Sequence, residues 1–434
     1  MKKLLTVALV VMLVTTGLFA QGGQEKDQGS AKKLEIHYAN FSTEGESHFK
    51  MVDQSIKNFN AANPNIKIMN DLLPSAAYTT NIQAVAASND LPQISMLRAS
   101  QAQAYGLNGV ILPLNDLLVE SGLDARMRPG VYKESSVDGV IYGIPWAIGY
   151  YGFILYNSEI FDEVGIKEFP KNLDEFKVAC DTLNAAGYIP MALGDKPLWP
   201  ADSLTFSAFV NKFVGPDWTD SIVAKDGTAS FLDADFIAAL TAFQKLAKDG
   251  TFNVNLASLD HDERRILYSS KKAAMISAGD WECVQITREA PDVAAMTKVA
   301  AWPGPKNGAK AGDSFENSSA WTIALSANNS EAETQAAMDY LANYHMTPEW
   351  GKQHIEVGGS IASWEHEIDK TKINPIMADV YAYDSEPCLN WDGVMDIDVR
   401  EVFQRGLQSL LTMGVTPQQL ASKMQAEYVR ALKK

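Results

Sequence analysis

Four tryptophans stand outside the regular apolar patterns of this sequence, beside residues that break or cap backbone structure. Trp146 follows Pro145, Trp199 precedes Pro200 with Asp202 three positions on, Trp281 follows Asp280, and Trp391 precedes Asp392. An indole offers a flat apolar face, and a carboxylate beside it can satisfy a hydroxyl that loses its water. A guest with C–H patches on its faces and hydroxyls at its rim, as a sugar has, needs both. The same pairing suits a cation held over an aromatic face. Any one of these tryptophans fits core packing equally well. Their recurrence in separate loops is what points to a shared cleft.

Bond-making chemistry has less to stand on. The sequence holds no GxxxxGK[ST], GxGxxG, GxSxG or HExxH pattern, so the signatures of phosphate loops, dinucleotide folds, hydrolase elbows and zinc proteases are missing. Six histidines (His37, His48, His261, His345, His354 and His366) lack paired metal-ligand spacing and read as surface or helix-cap residues. Asp392, Asp396 and Asp398 resemble a calcium loop, with its Gly and terminal Glu misplaced. A pair of glycosidase carboxylates is defined in space, not sequence, and nothing selects one. The expectation is a binding protein without catalytic residues, metal or cofactor.

The elements that must hold these residues begin as strand, helix, strand, helix, strand. Leu34, Ile36 and Tyr38 alternate; Phe49, Val52, Ile56 and Phe59 form a helical face that ends before Pro64; Ile66 and Ile68 open a second strand. Tyr78, Ile82 and Val85 mark another helix, and Ile94 to Leu97 a third strand. This is the rhythm of a parallel α/β sheet. Ligands in such sheets lie beyond the carboxyl ends of strands, which selects residues 40–47 and 98–101. The middle of the chain is mainly helical, and two helices, 399–413 and 416–432, close it. The second has Thr416 as cap and Pro417 at its first position. An extended patch from Val299 to Leu325 suggests a return to the first lobe. The stretch 138–166 reads as an apolar run ended by Pro145, aromatics among small residues, a buried strand from Gly152 to Asn157, and a helix start at Ser158. Aromatics beside a bend suit a crossing between two lobes.

With 434 residues, two domains are the natural division. A net charge of -16 argues against a nucleic-acid partner. Lys2 and Lys3, the apolar run from Leu4 to Val14 and the small residues near Ala20 read as a signal peptide over 1–20. Residues 21–31 read as a polar, disordered leader. Removal of the signal peptide, with Lys2 and Lys3, makes the mature chain two charges more acidic and leaves a soluble, exported protein. Cys180 sits on a helical apolar face as a buried thiol; Cys283 and Cys388 could pair in an oxidising compartment.

Several segments together resemble the extracellular solute-binding proteins of ABC sugar importers, the group of maltose- and trehalose-type binders. These are Phe59 to Ile68; Asp90 to Ile94 with Gly106 to Leu114, where Gln93 replaces an Asp; Tyr142 to Pro145 through Asn157 and Phe161 to Gly165; and Lys271 to Met275 with Gly279-Asp280-Trp281. The resemblance implies a two-lobe α/β periplasmic-binding-protein fold, type II-like, with hinge crossings and a ligand cleft between the lobes. The division it implies is 32–147 with 313–350 for the first lobe, and 148–312 with 351–434 for the second. It implies a monomer that delivers a sugar to membrane permease subunits powered by a separate ATPase. The ligand-touching positions carry over to Ser42, Glu44 and Glu46; Arg98, Ser100 and Gln101; Trp146 and Tyr150; and Asp280 and Trp281. Trp199, Asp202, Asn317 and Trp391 follow on less similar flanks. The loop after the third strand lacks the aromatic and acid of maltose binders, which argues against maltose itself. A cationic, polyamine-like ligand and a secreted glycosidase are the alternatives; Arg98 in the cleft opposes the first, and the missing catalytic constellation the second.

Overall fold

A computed structural model describes residues 33–42, 48–310, 315–319, 321–383 and 388–433. The signal peptide, the leader, Glu44 and Glu46 lie outside the described residues. The strands in chain order are β1 (Leu34–Asn40), β2 (Ile66–Leu72), β3 (Ile94–Arg98), β4 (Ser136–Val137), β5 (Val140–Ile141), β6 (Ile144–Pro145) and β7 (Ala147–Asn157). They continue as β8 (Ile189–Ala192), β9 (Ala273–Gly279), β10 (Thr297–Ala300), β11 (Glu316–Ser318), β12 (Trp321–Leu325) and β13 (Ile361–Ala362).

Two sheets result. The first runs β2-β1-β3-β12-β6, with β1 to β3 parallel and β12 antiparallel to both of its neighbours. The parallel part comes from the strand–helix alternation: the helix Phe49–Ala62 buries Met51, Val52, Ile56 and Phe59, and stops where Pro64 forbids another turn. The second sheet is built on β7 and runs β10-β7-β9-β8, with β11 and β13 also paired to β7. Of the late extended patch only β12 returns to the first sheet; β10 and β11 stay with β7 in the second.

The lobes meet along paired crossings. Pro145 faces Thr322 in the first sheet, and a few residues on Gly149 faces Ser318 in the second. Two antiparallel strands thus pass side by side from one sheet to the other. β13 adds a third passage, pairing with Ala147 and Ile148. Few residues with changing φ/ψ at such a place make a hinge.

β7 is longer than the sequence suggested. It is continuous from Ala147, because Gly152 takes φ +74° and absorbs a register shift between Tyr151 and Phe153 instead of ending the strand. A Cβ there would also sit 2.5 Å from that of Ala208. The helix after β7 is capped by Asn157, not Ser158: the Asn157 side chain accepts from the amides of Glu159 and Ile160.

One apolar cluster gathers residues of the first sheet and its helices, including Ile36, Phe59, Trp146 and Ile323. Ala362 and Trp364, expected in the second lobe, pack into it too. A second cluster, centred on Phe206, Phe243, Trp391 and Phe403, fills the helical half. A third, with Phe153, Tyr268 and Met377, lies on the other face of the second sheet. The cysteines form no disulfide. Cys180, Cys283 and Cys388 are buried thiols, and the Cys388 thiol donates to the Phe315 carbonyl at 3.6 Å.

Candidate functional site

A cavity of about 140 Å³ lies where the two sheets face each other across the crossings. From the first lobe it is lined by Phe41 just past β1, His48, Arg98 at the end of β3, Trp321 at the start of β12, and Trp146. Ala147, Gly149, Tyr151, Trp199, Ser203, His261, Asp280 and Trp281 line it from the other side, with Ser360 at the third passage. Strand direction explains the first wall. β12 runs against β3 with Trp321 opposite Arg98, so its first residue lands at the carboxyl edge of the parallel strands.

The second wall is aromatic and fixed from beneath. Trp281 lies half-buried at the N-terminus of the helix Asp280–Glu289, its ring folded over Gly279, where a Cβ would sit 2.3 Å from the indole. Glu282 holds this turn: one carboxylate oxygen accepts from the Gly279 amide at 3.2 Å, the other from Arg264 at 2.7 Å. Arg264 donates its other arm to the Ser277 carbonyl at 2.6 Å and meets His261 at 3.3 Å. Both charges are buried, so the pair is retained only because each is met by several partners. Ring centroids then fall close together: Trp199 to His261 4.7 Å, Tyr151 to Trp281 5.8 Å, and Trp199 to Trp281 6.2 Å.

Asp280 reaches into the cavity and accepts the Tyr150 amide at 3.0 Å. Burial pushes its carboxyl up to about 7, so near neutrality it is divided between donor and acceptor forms. His48 is pressed down to about 4 by burial, with its ring 4.6 Å from Trp146 and its Nε2 3.2 Å from His354 Nδ1. Burial and the neighbouring arginines lower His261 well below its ordinary value. Both imidazoles are neutral at physiological pH.

Arg98 caps the helix Ala99–Leu107, its amide received by Gln101 Oε1 at 2.9 Å. Its guanidinium stacks on Trp321, 3.9 Å from the ring centre, and makes an ion pair with Asp392 across the cleft. Asp392 is positioned within its own lobe by Gln404, which donates to Oδ1 at 3.1 Å, and by Arg400, which donates to its backbone carbonyl at 2.8 Å.

Of the positions singled out in the sequence, Arg98, Trp146, Trp199, Asp280 and Trp281 line the cavity. Ser42, Ser100 and Gln101 are buried and are not among its lining residues; among the described residues the hydroxyls of Ser42 and Ser100 have no hydrogen-bond partner. Tyr150 turns away. Neighbouring residues of a strand point to opposite faces, so Tyr151 enters the cavity while the Tyr150 ring meets Tyr381 at 5.1 Å and its hydroxyl bonds Asn317. Asn317 sits in β11 beside that tyrosine, outside the lining. Asp202 is fully buried behind the wall, receiving Gln404 at 3.0 Å. Trp391 is wholly enclosed in the second cluster, against Phe206 and Phe403. His48, His261 and His354, read as surface or cap residues, are inside: His354 is fully buried and the other two line the cleft. Sequence reasoning also passed over Tyr151 and Trp321, and reached Phe41 only as part of the loop 40–47. The strand-end rule reaches Trp321 once β12 is known to run against β3.

Residues 45–344 match the bacterial extracellular solute-binding protein family. The chain belongs to that family. An uncharacterised ABC transporter extracellular-binding protein of Pyrococcus horikoshii is 27% identical over 291 residues, covering 64% of this solute-binding protein and 63% of the relative. The diacetylchitobiose binding protein DasA of Streptomyces coelicolor is 25% identical over 180 residues, 41% of each. The solved structure of a chitin oligosaccharide binding protein superposes with a TM-score of 0.85 at 22% identity, covering 93% of this chain and 100% of that one. The chain spans less than two thirds of the length of the curated relatives it matches. The two-lobe architecture is therefore common to this protein and its structural neighbours.

Proposed function

We propose that this protein is the substrate-binding component of an ABC importer, which captures a sugar or short oligosaccharide between its lobes and hands it intact to membrane permease subunits. The observation that carries this reading is a cavity walled by indole and phenol rings from both lobes, with buried polar groups among them. Flat rings take the C–H faces of a sugar; Asp280, Ser203 and Ser360 take hydroxyls that would otherwise lose their water unpaired. Relatives and neighbours support the ligand class through their names, a probable sugar-binding periplasmic protein of Mesorhizobium japonicum and a raffinose complex among them. Among the described residues no helix is long and apolar enough to cross a membrane; in this reading the chain is exported and meets its permease as a separate, monomeric partner. We divide the lobes as the sequence suggested at 147/148, move the 312/313 boundary beyond Ser318, which pairs with Gly149 in the second sheet, and move the last boundary beyond Trp364, whose ring packs with the first lobe.

Function then follows from closure. Each lobe holds half of the contacts, so a ligand bound by both favours the shut state by its extra contacts there. Titration with diacetylchitobiose, xylobiose, maltose and raffinose tests the reading through tryptophan fluorescence and melting temperature. A ligand that binds only the folded state must raise the melting temperature, by about 2.7 kcal/mol of stability at a hundredfold excess over Kd. A panel of such sugars that neither quenches fluorescence nor stabilises the fold would overturn it.

A further inference from the structure

The charge at the first wall of the cleft is cancelled from the opposite lobe. Among the described residues Arg98 is the only lysine or arginine in the cavity lining. Its guanidinium carbon lies 3.9 Å from the centre of the Trp321 ring, and a guanidinium is a planar fork of donors. A carboxylate is the natural partner of such a fork. Here the carboxylate is not left for a ligand: Asp392 supplies it. Arg98 and Asp392 are both buried, and each is carried by a different lobe.

Asp392 is set in place independently of Arg98. Gln404 bridges its Oδ1 and the Asp202 carboxylate, and Arg400, from the same lobe, grips its backbone carbonyl and lies 3.9 Å from its Oδ1. The pair is therefore made when the lobes shut, and Asp392 arrives already aimed. A guest that brought its own carboxylate to Arg98 would compete with Asp392 for one fork. Closure would then bury an acid without its partner, and the cost of an uncompensated buried charge opposes it. An uncharged guest meets no such conflict.

We propose that Asp392 is a specificity-determining residue: by neutralising Arg98 on closure it restricts the cleft to uncharged sugars and rejects those bearing a carboxylate. This rests on the carbohydrate reading above. Asp392 does not line the cavity, so it acts through Arg98, and its signature is a change of preference. A general loss of binding would mark a merely structural role.

The test is calorimetric titration of the mature protein with xylobiose, maltose and diacetylchitobiose as uncharged probes and digalacturonic acid as the anionic one. Wild type is expected to bind its best uncharged probe at least 100-fold more tightly than digalacturonate. In D392N, which keeps a polar side chain for Gln404, that gap narrows at least tenfold. Asp202, behind Gln404, can take over part of the neutralisation, so D202N/D392N should narrow the gap further. R98Q/D392N, which removes both charges, should restore the discrimination. Wild type binding digalacturonate within tenfold of the best uncharged probe overturns the proposal whether or not any variant folds. So does a folded D392N whose gap is unchanged. If no uncharged probe binds wild type, the carbohydrate reading itself falls, and this proposal falls with it.

Discussion

Trp281 and Trp391 look alike in the sequence, each an indole next to an aspartate in a break between apolar segments. In the structure they do opposite things. Trp281 leans over Gly279 into the cleft, with Tyr151, Trp199 and His261 around it. Trp391 is enclosed by Trp218, Phe236, Phe206 and Phe403 in the helical core. Their acids are exchanged as well. Asp280 lines the cavity beside its tryptophan, whereas Asp392 leaves its tryptophan in the core and crosses to the other lobe. An aromatic–acid pair in a loop is thus an insufficient sign of this cleft. What separates the two is the number of apolar neighbours that tertiary packing supplies.

The contrast can be broken in measurable steps. W391A should cost about 3–5 kcal/mol of stability, the usual price for removing a fully buried large aromatic, read as a lowered denaturation midpoint. A loss below about 1 kcal/mol would place Trp391 outside the core. The second largest effect belongs to Asp280. Its carboxyl is raised in the folded state, so the unfolded chain binds fewer protons between pH 3.8 and about 7 and stability falls as pH rises through that window. D280N keeps an acceptor for the Tyr150 amide and should exceed wild type by on the order of 2–4 kcal/mol above pH 7, with the advantage gone near pH 3.8. Equal stability of the two proteins at pH 8 would remove the argument.

W281A should weaken sugar binding about tenfold or more, on the order of 1–2 kcal/mol for a lost stacking face, while the melting temperature of the unliganded protein barely moves. The reverse pattern, a large stability loss with binding intact, would make Trp281 a core residue like Trp391. The effect at His48 is confined to acid pH. Its imidazole is lowered in the folded state, so stability is full above pH 6.5 and is lost as pH falls from there towards about 4. H48Q should flatten that acid limb of a melting-temperature profile and leave the neutral region unchanged.

Much of the scaffold could be read without coordinates, for local reasons. β1 to β3 follow from apolar alternation between helical faces, and the last helix, Pro417–Ala431, from Thr416, whose hydroxyl receives the Gln419 amide at 3.2 Å. The short strands β11 and β13 escaped because two or three residues carry no periodicity; only their pairing with β7 makes them strands. Tyr150 was preferred over Tyr151 because both stand in the same small-residue run, and which one faces the cleft depends on the pleat of β7. His48 and His261 were assigned to the surface since no spacing linked them to anything. Their partners Trp146 and Trp199 come from distant parts of the chain.

By itself, then, the sequence settled what is decided within a dozen or so neighbouring residues: where helices start and stop, which strands alternate, and that rings and acids recur at breaks between them. Only tertiary structure decided which of those rings share an opening and which are sealed, and that the aspartate after Trp391 answers the arginine at the end of β3. The physical reason is range. Backbone propensity and capping act between neighbours, whereas burial and charge pairing depend on which distant surfaces the fold presses together.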